Sequence, residues 1–513
     1  MRYFMQSCSV IAFVSVAALG LAACGPSSQS NQTQATPTAA QGTVASANPA
    51  LQVVPLRKSI NQLTPAELAS LRKGIAQMIA WNSAPRGSAN FKRSLRYWAN
   101  MHAFIGINCS PNSGINNQGM SGLSIQSKQT PDENSTWCTC QHGTIQFLTW
   151  HRMYLYYFEK VLQAAAGDPN LRLPYWDYET DGHIPAAYRS PTYVNGNGQT
   201  VANPLFISNR QAALNNGSAT LSPAVVSTAG AMPATSYSPF NSALEQTPHG
   251  SVHCATGVNS CPTGYMGYVP SAGNDPIFYS HHANIDRLYE CWVKVAPAQR
   301  LPSGAMLNAT FNFIDGAGNL VNRKVADMVT TQQLGYNYTA GGGCPAAAPS
   351  PVVVQQAPSR VIDLAGPVEL QTGVTSVPVR LPAAPPSQNE AADPNAPPAQ
   401  QATLVLEGVT FDQAPGAMFE VALQSSNGKR VTIGVINFFN QTAPHHGDME
   451  SGGAAERRSF DASAALKALG AGAAQARLVL KPTSGVSGAG NEIATTVKPG
   501  AKVRFSAAKL ELR

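Results

Sequence analysis

Apolar residues recur at helical spacing along the first two thirds of the chain and in short runs along the last third. Thr64-Pro65-Ala66-Glu67 forms a capping box with proline at the first helical position. Leu68, Leu71, Ile75, Met78 and Ile79 then follow at steps that favour one helix face. Similar patterns predict helices over residues 91–104, 145–165 and 275–295. Residues 191–239 carry Gly, Pro, Ser and Asn throughout and read as long surface loops. Past Cys344 the character changes. Residues 352–354, 376–381, 402–409, 418–423, 429–439, 476–480 and 501–512 are rich in β-branched or alternating residues. They predict an all-β, sandwich-like domain. Within it, residues 382–401 are a Pro/Ala/Gln-rich loop expected to be disordered. No internal repeat is visible.

The first residues change the picture. MRYFMQSCSVIAFVSVAALGLAACG joins an early arginine to an apolar stretch and small residues before Cys24. It reads as an export signal, too short and weakly flanked to span a membrane. Leu21-Ala22-Ala23-Cys24 resembles the bacterial lipoprotein box, which implies cleavage and acylation at Cys24; a plain signal peptide is the alternative. Residues 25–54 then form a flexible tether rich in Ser, Gln, Thr, Ala and Pro. The expected organisation is a leader at 1–24, the tether, a helical domain over 55–345 and a β-domain over 346–513. The expected place is the bacterial periplasm or outer envelope. Net charge is +7, with no stripe of Lys and Arg, so nucleic-acid binding is disfavoured.

Export puts the cysteines in an oxidising compartment. There are nine. Processing removes Cys8 and uses Cys24, leaving seven, so one does something other than pair.

Ten histidines are present, and spacing separates some from the rest. His249 and His253 lie four apart, which on a helix puts both rings on one face. No HExxH glutamate accompanies them, so zinc-protease chemistry is disfavoured. His282 and Asp286 repeat the spacing, and Asp286 is expected to orient a ring from behind. His281, about 100° round the helix, is expected to face elsewhere. His142 and His151 are nine apart and converge only if His142 sits in a loop before the helix, a break that Gly143 allows. His102 is then placed to add a third ring. Two sets of three imidazoles without a carboxylate suggest a metal pair, and copper suits an exported, aerobic setting best.

Those residues carry a resemblance. HGTIQFLTWHRMYLYYFE (142–159) and DPIFYSHHANID (275–286) resemble the two signature motifs of the tyrosinase and polyphenol oxidase family, the type-3 copper proteins. LPYWDYETDGHIP (173–185) and LEQTPHGSVH (244–253) add to it. LVLEGVTFDQAPGAMFEVAL and TIGVINFFN resemble the C-terminal domain of the plant-type members. The resemblance implies a mainly α, four-helix-bundle dicopper domain followed by the β-domain. It implies copper A on His102, His142 and His151, and copper B on His249, His253 and His282. It also implies a thioether from Cys140, two residues before His142, with Cys109 as the rival cysteine. Six cysteines then remain, and of their many pairings Cys109–Cys138, Cys254–Cys261 and Cys291–Cys344 is the expected set.

The activity implied is oxidation of o-diphenols to o-quinones, with O2 as co-substrate reduced to water. Monophenols and o-aminophenols are further candidate substrates. Glu245 matches the family's water-holding glutamate. Two positions depart from common patterns: Gly250 stands where many monophenol-active members have Asn, and Val269 where plant members often place Phe as a gate. They push monophenol activity in opposite directions. Phe438 or Phe439 is expected to plug the site, with sandwich core as the competing role. A haemocyanin-like O2 carrier and a copper-scavenging lipoprotein are the competing classes. Beyond substrate, a lipid-anchoring membrane and a copper chaperone are the partners left open. His445-His446 is expected in a solvated loop.

Overall fold

The computed structural model describes residues 54–103, 130–137, 139–258, 261, 263–344, 360–381, 401–439 and 456–512. The leader and tether with Cys24, together with Cys109, Cys138, residues 352–354, the loop at 382–400 and His445-His446, lie outside them. Among the described residues no helix is long and apolar enough to cross a membrane.

The expected capping box is present: Thr64 Oγ1 accepts from Glu67 N–H, and the Glu67 carboxylate accepts from Thr64 N–H, opening the helix Pro65–Ala80. Leu71, Ile75 and Met78 are buried, while Ile79 is exposed. The single helix expected over 91–104 is two pieces, Ala89–Lys92 and Leu95–His102. Ser94 causes the restart, because its hydroxyl accepts from Tyr97 N–H and so caps the second piece. Phe147–Ala166 is the central helix, buried most of the way round and closed by Gly167 in the left-handed conformation at φ 65°. Ile277–Val295 packs beside it.

The stretch read as loops is less irregular than expected. Thr192–Val194 and Thr200–Ala202 form a hairpin, Ala212–Asn215 is a helical turn, and helix Tyr237–Leu244 begins at the end of the stretch. Ala219–Leu221 pairs antiparallel with Val486–Gly488, so a strand of the helical domain is completed by the C-terminal part. A second hairpin, Thr310–Ile314 with Leu320–Lys324, lies inside the region that read as helical.

The C-terminal part contains two antiparallel four-stranded sheets. One runs in the order Thr375–Val379, Ala476–Thr483, Met418–Gln424, Arg430–Ile436. The other runs Glu456–Asp461, Ala402–Val409, Ala507–Leu512, Arg360–Ala365. Leu404, Leu406, Phe419, Val421, Leu423, Leu478, Leu480 and Leu510 belong to one buried core. The run expected as a strand to 439 ends at Ile436. Asn437, Phe438 and Phe439 therefore leave the sheet, and Phe439 joins the core of the helical domain.

Candidate metal centre

Each expected copper A histidine comes from a different local setting. His102 ends its helix, and its Nδ1 faces the Val269 carbonyl at 3.1 Å. His142 lies in the loop before the central helix, followed by Gly143 at φ 66°, a conformation in which glycine is favoured. His151 lies inside that helix, Nδ1 2.8 Å from the Phe147 carbonyl. The three ring centroids are 4.9, 5.7 and 5.1 Å apart.

The second set is built across a kink. Helix Tyr237–Leu244 runs into Glu245–Gly250, where Thr247 leaves helical geometry, and then into Ser251–Thr256. His249 Nδ1 faces the Glu245 carbonyl at 3.0 Å, and His253 Nδ1 faces Met266 at 2.8 Å. His253 Nε2 and His282 Nε2 lie 3.3 Å apart. The two sets meet where His151 and His282 stack at 4.7 Å.

All six rings are buried. A ring whose Nδ1–H is given to a carbonyl keeps its Nε2 lone pair for something else. Nε2 of His102, His142 and His249 is buried without a hydrogen-bond partner. Burial holds the rings neutral, His102 down to about 3, with mutual repulsion adding to the effect at His142 and His249. Two sets of inward, neutral nitrogen donors, within 4.8 Å of one another in each group, fit a pair of copper ions.

Three expectations need correction or refinement. Asp286 does not orient His282, whose Nδ1 has no partner. Its carboxylate instead accepts from Arg152 Nε at 2.5 Å and from the Tyr336 and Tyr338 hydroxyls at 2.6 Å each. The buried guanidinium is the stronger competitor for that oxygen. His281 does not face away. Its ring lies nearly parallel to that of His249 at 5.6 Å and edge-on to that of His253 at 4.6 Å, because the segment Glu245–Gly250 packs against the helix Ile277–Val295. Phe438 and Phe439 part company: Phe438 packs on Phe411 and Phe419 in the sandwich, and Phe439 stacks on His253 at 4.0 Å with planes 7° apart.

Other expected residues lie near these rings. Glu245 accepts from Gly143 N–H at 2.6 Å, and burial lifts its carboxyl to about 8. Val269 is buried and orients His102 through its carbonyl. Gly250 lies under the side chain of Asn437. Cys140 is buried and unbridged, its Sγ 3.5 Å from His142 Nδ1 and 3.7 Å from His151 Nε2. Cys254–Cys261 and Cys291–Cys344 are joined as expected, while Cys109–Cys138 falls outside the described residues. Sequence reasoning missed Phe278, 4.6 Å from His102 and 4.3 Å from His282, although it sits inside a quoted motif. It also missed Asn437, which sits inside the quoted TIGVINFFN but whose partner, the Gln246 carbonyl, lies far away in the chain.

Comparison with known proteins follows this geometry. Residues 92–232 and 208–295 match the common central domain of tyrosinase, and residues 305–345 match the polyphenol oxidase middle domain. The chain is 31% identical over 285 residues to tyrosinase HcTyr1 of Hahella sp. (strain CCB-MM4), covering 50% of this chain and 55% of that one. It is 33% identical over 227 residues to a chloroplastic polyphenol oxidase of Malus domestica, covering 38% of each. The chain thus spans about half or less of the length of these curated relatives. Its fold resembles that of a latent aurone synthase (polyphenol oxidase), with a TM-score of 0.59 over 90% of each chain at 19% identity, a likeness of fold alone.

Proposed function

We infer what this chain does from where it belongs: through its central helical domain it is a member of the tyrosinase and polyphenol oxidase family. The proposed function is copper-dependent oxidation of o-diphenols to o-quinones, two diphenols consumed for each O2 reduced to two waters. The observation that carries this is the pair of buried histidine sets, in which Nε2 of His102, His142 and His249 has no hydrogen-bond partner. His102, His142 and His151 would hold one copper, and His249, His253 and His282 the other. Bound there, copper supplies the electron exchange between phenol and O2. The chain's own part is to hold six neutral rings in place, mostly through Nδ1 contacts to backbone carbonyls.

Glu245 is proposed to hold the water that accepts the phenol proton. Its carboxylate is anchored by Gly143 N–H beside His142. A monophenol must lose its proton to bind as phenolate, and general-base help of this kind is worth about 100-fold or more. Glu245→Gln is therefore expected to cut monophenol turnover by about 100-fold while lowering catechol turnover much less. An unchanged monophenol-to-catechol ratio removes Glu245 from that role. Gly250 argues against monophenol activity and Val269 for it, so catechols are the primary proposed substrates, with monophenols and o-aminophenols behind them.

Cys140 is proposed to form a thioether to a ring carbon of His142: the thiol and the ring carbon each lose one hydrogen, and O2 takes both with two electrons to leave as hydrogen peroxide. Its contact with that ring supports it over Cys109. Peptide mapping after full reduction is expected to find the 140–142 peptide two hydrogens lighter and closed to alkylation. An alkylated Cys140 ends the idea.

The β-domain is proposed to shield the site through Phe439. Export and acylation at Cys24 complete the proposal, and a lipid-modified N-terminal peptide in the membrane fraction is its test. The activity itself is tested by oxygen uptake of the copper-loaded chain on catechol and a matched monophenol. Uptake on catechol supports the function, and uptake on both extends it to monophenols. Reversible oxygenation without turnover of either moves the chain to the carrier class.

A further inference from the structure

Gly250 adopts φ −64° and ψ −34°, ordinary helical values that any residue accepts. Its backbone gives no reason for glycine. The reason is across the domain boundary: a Cβ at 250 would lie 2.6 Å from Asn437 Oδ1 and 3.2 Å from its Cγ and Nδ2. Asn437 is 3% exposed, and its Nδ2 donates to the Gln246 carbonyl at 2.7 Å. Its Oδ1 accepts from Phe439 N–H at 3.2 Å, and its own carbonyl accepts from Arg458 Nη2 at 3.2 Å. Gln246 is gripped a second time, since its Nε2 donates to the Arg457 carbonyl at 3.1 Å.

Gln246 occupies a sensitive place. It lies between Glu245, whose carbonyl orients His249, and Thr247, where φ −145° and ψ 126° break the helix. Pro248, next in line, has no N–H to give. At such a kink the helix's own hydrogen bonds do least to fix direction. Whatever holds residues 245–247 therefore fixes where the unpartnered Nε2 of His249 points.

We propose that Asn437 is a positioning residue for the second histidine set: from the β-domain it braces the kinked segment carrying His249, seated in a notch that only glycine at 250 leaves open. The proposal rests on the copper reading of that set. It gives the β-domain a structural part in the metal centre, separate from any shielding by Phe439. The notch and the amide act as one device, so their effects are coupled.

The test is copper release from the full chain. The loaded protein is exposed to bicinchoninate, and copper remaining per chain is followed with time. Asn437→Ala is expected to release one copper about 10-fold faster than the parent, the usual scale for loss of an outer support. The other copper leaves at the parent's rate. Anomalous diffraction at the copper edge is expected to find the emptied position among His249, His253 and His282. Gly250→Ala is expected to do the same in the parent, and to add nothing in the Asn437→Ala background, where the methyl has room. Unchanged release from Asn437→Ala, equal acceleration of both coppers, or a full Gly250→Ala effect in the double variant overturns the brace. A parent that takes up no copper overturns the metal reading, and the brace with it, before any variant is compared.

Discussion

Asp286→Ala is expected to lower the unfolding free energy by about 3–5 kcal/mol, the cost of stripping one partner from a buried ion network. Asp286 is buried together with Arg57 and Arg152. Arg152 also donates to the Val329 carbonyl and to Glu290, and Arg57 to Glu159. Removing the carboxylate leaves Arg152 short of its strongest acceptor, the Tyr336 and Tyr338 hydroxyls without theirs, and Arg57 without a nearby anion at 3.6 Å. Burial pushes the Asp286 carboxyl up, but Arg152 and Arg57 outweigh it and hold it below its ordinary 3.8. The sign follows by linkage. A depressed folded-state pKa stabilises above the unfolded value and loses that stabilisation as pH falls through the folded one. Acid unfolding of the parent should thus steepen below about pH 4, and the variant should lack that component. Denaturant unfolding measures the difference, and a loss under about 1 kcal/mol would return this network to the class of weak surface pairs.

The network also ties function to fold. Arg152 directly follows His151, and Asp286 lies one turn beyond His282. Their ion pair therefore clamps together the two helices whose rings stack across the centre at 4.7 Å.

What the sequence made legible was local. Spacing four apart placed His249 and His253 together, and Gly143 marked the loop that lets His142 meet His151. These are short-range geometric facts, and helical periodicity carries them. The failures are long-range. Asp286 reads as a partner for the residue one turn away, but Arg152 stands 134 positions earlier in the chain and wins through charge. The edge strands Arg360–Ala365 and Glu456–Asp461 passed unseen because their polar residues interrupt the pattern, and pairing to neighbours defines them instead. Ser94 looked like any helix residue until its hydroxyl was needed as a cap. The place of His281 is long-range too: a helical wheel shows only its own helix, whereas His249 and His253 reach its ring from another segment.

Phe439→Ala is expected to raise catechol turnover of the full chain by about 10-fold to 100-fold. The ring stacks on His253 and lies 5.5 Å from His249 and 6.2 Å from His142, so on the proposed function it lies where a phenol ring would approach. It is 6% exposed, and burying a phenylalanine contributes about 1.5–3 kcal/mol to the closed arrangement. A plug held by that margin leaves only a few per cent of molecules open at a given moment, and activity scales with the open fraction. Truncation to alanine removes the margin without touching Phe438, which belongs to the sandwich core. Cleavage near residue 345 that releases the β-domain should give the parent a similar rise and give Phe439→Ala little more, since the plug is already gone. The two treatments then differ in a second respect. Phe439→Ala keeps Asn437 on Gln246 and should hold both coppers as the parent does, whereas the released form loses the brace and, although its first turnovers show the rise, should give up the second set's copper to bicinchoninate about 10-fold faster. Equal initial rates for parent and Phe439→Ala, at matched copper content, would leave the β-domain as a support with no hand on the entrance.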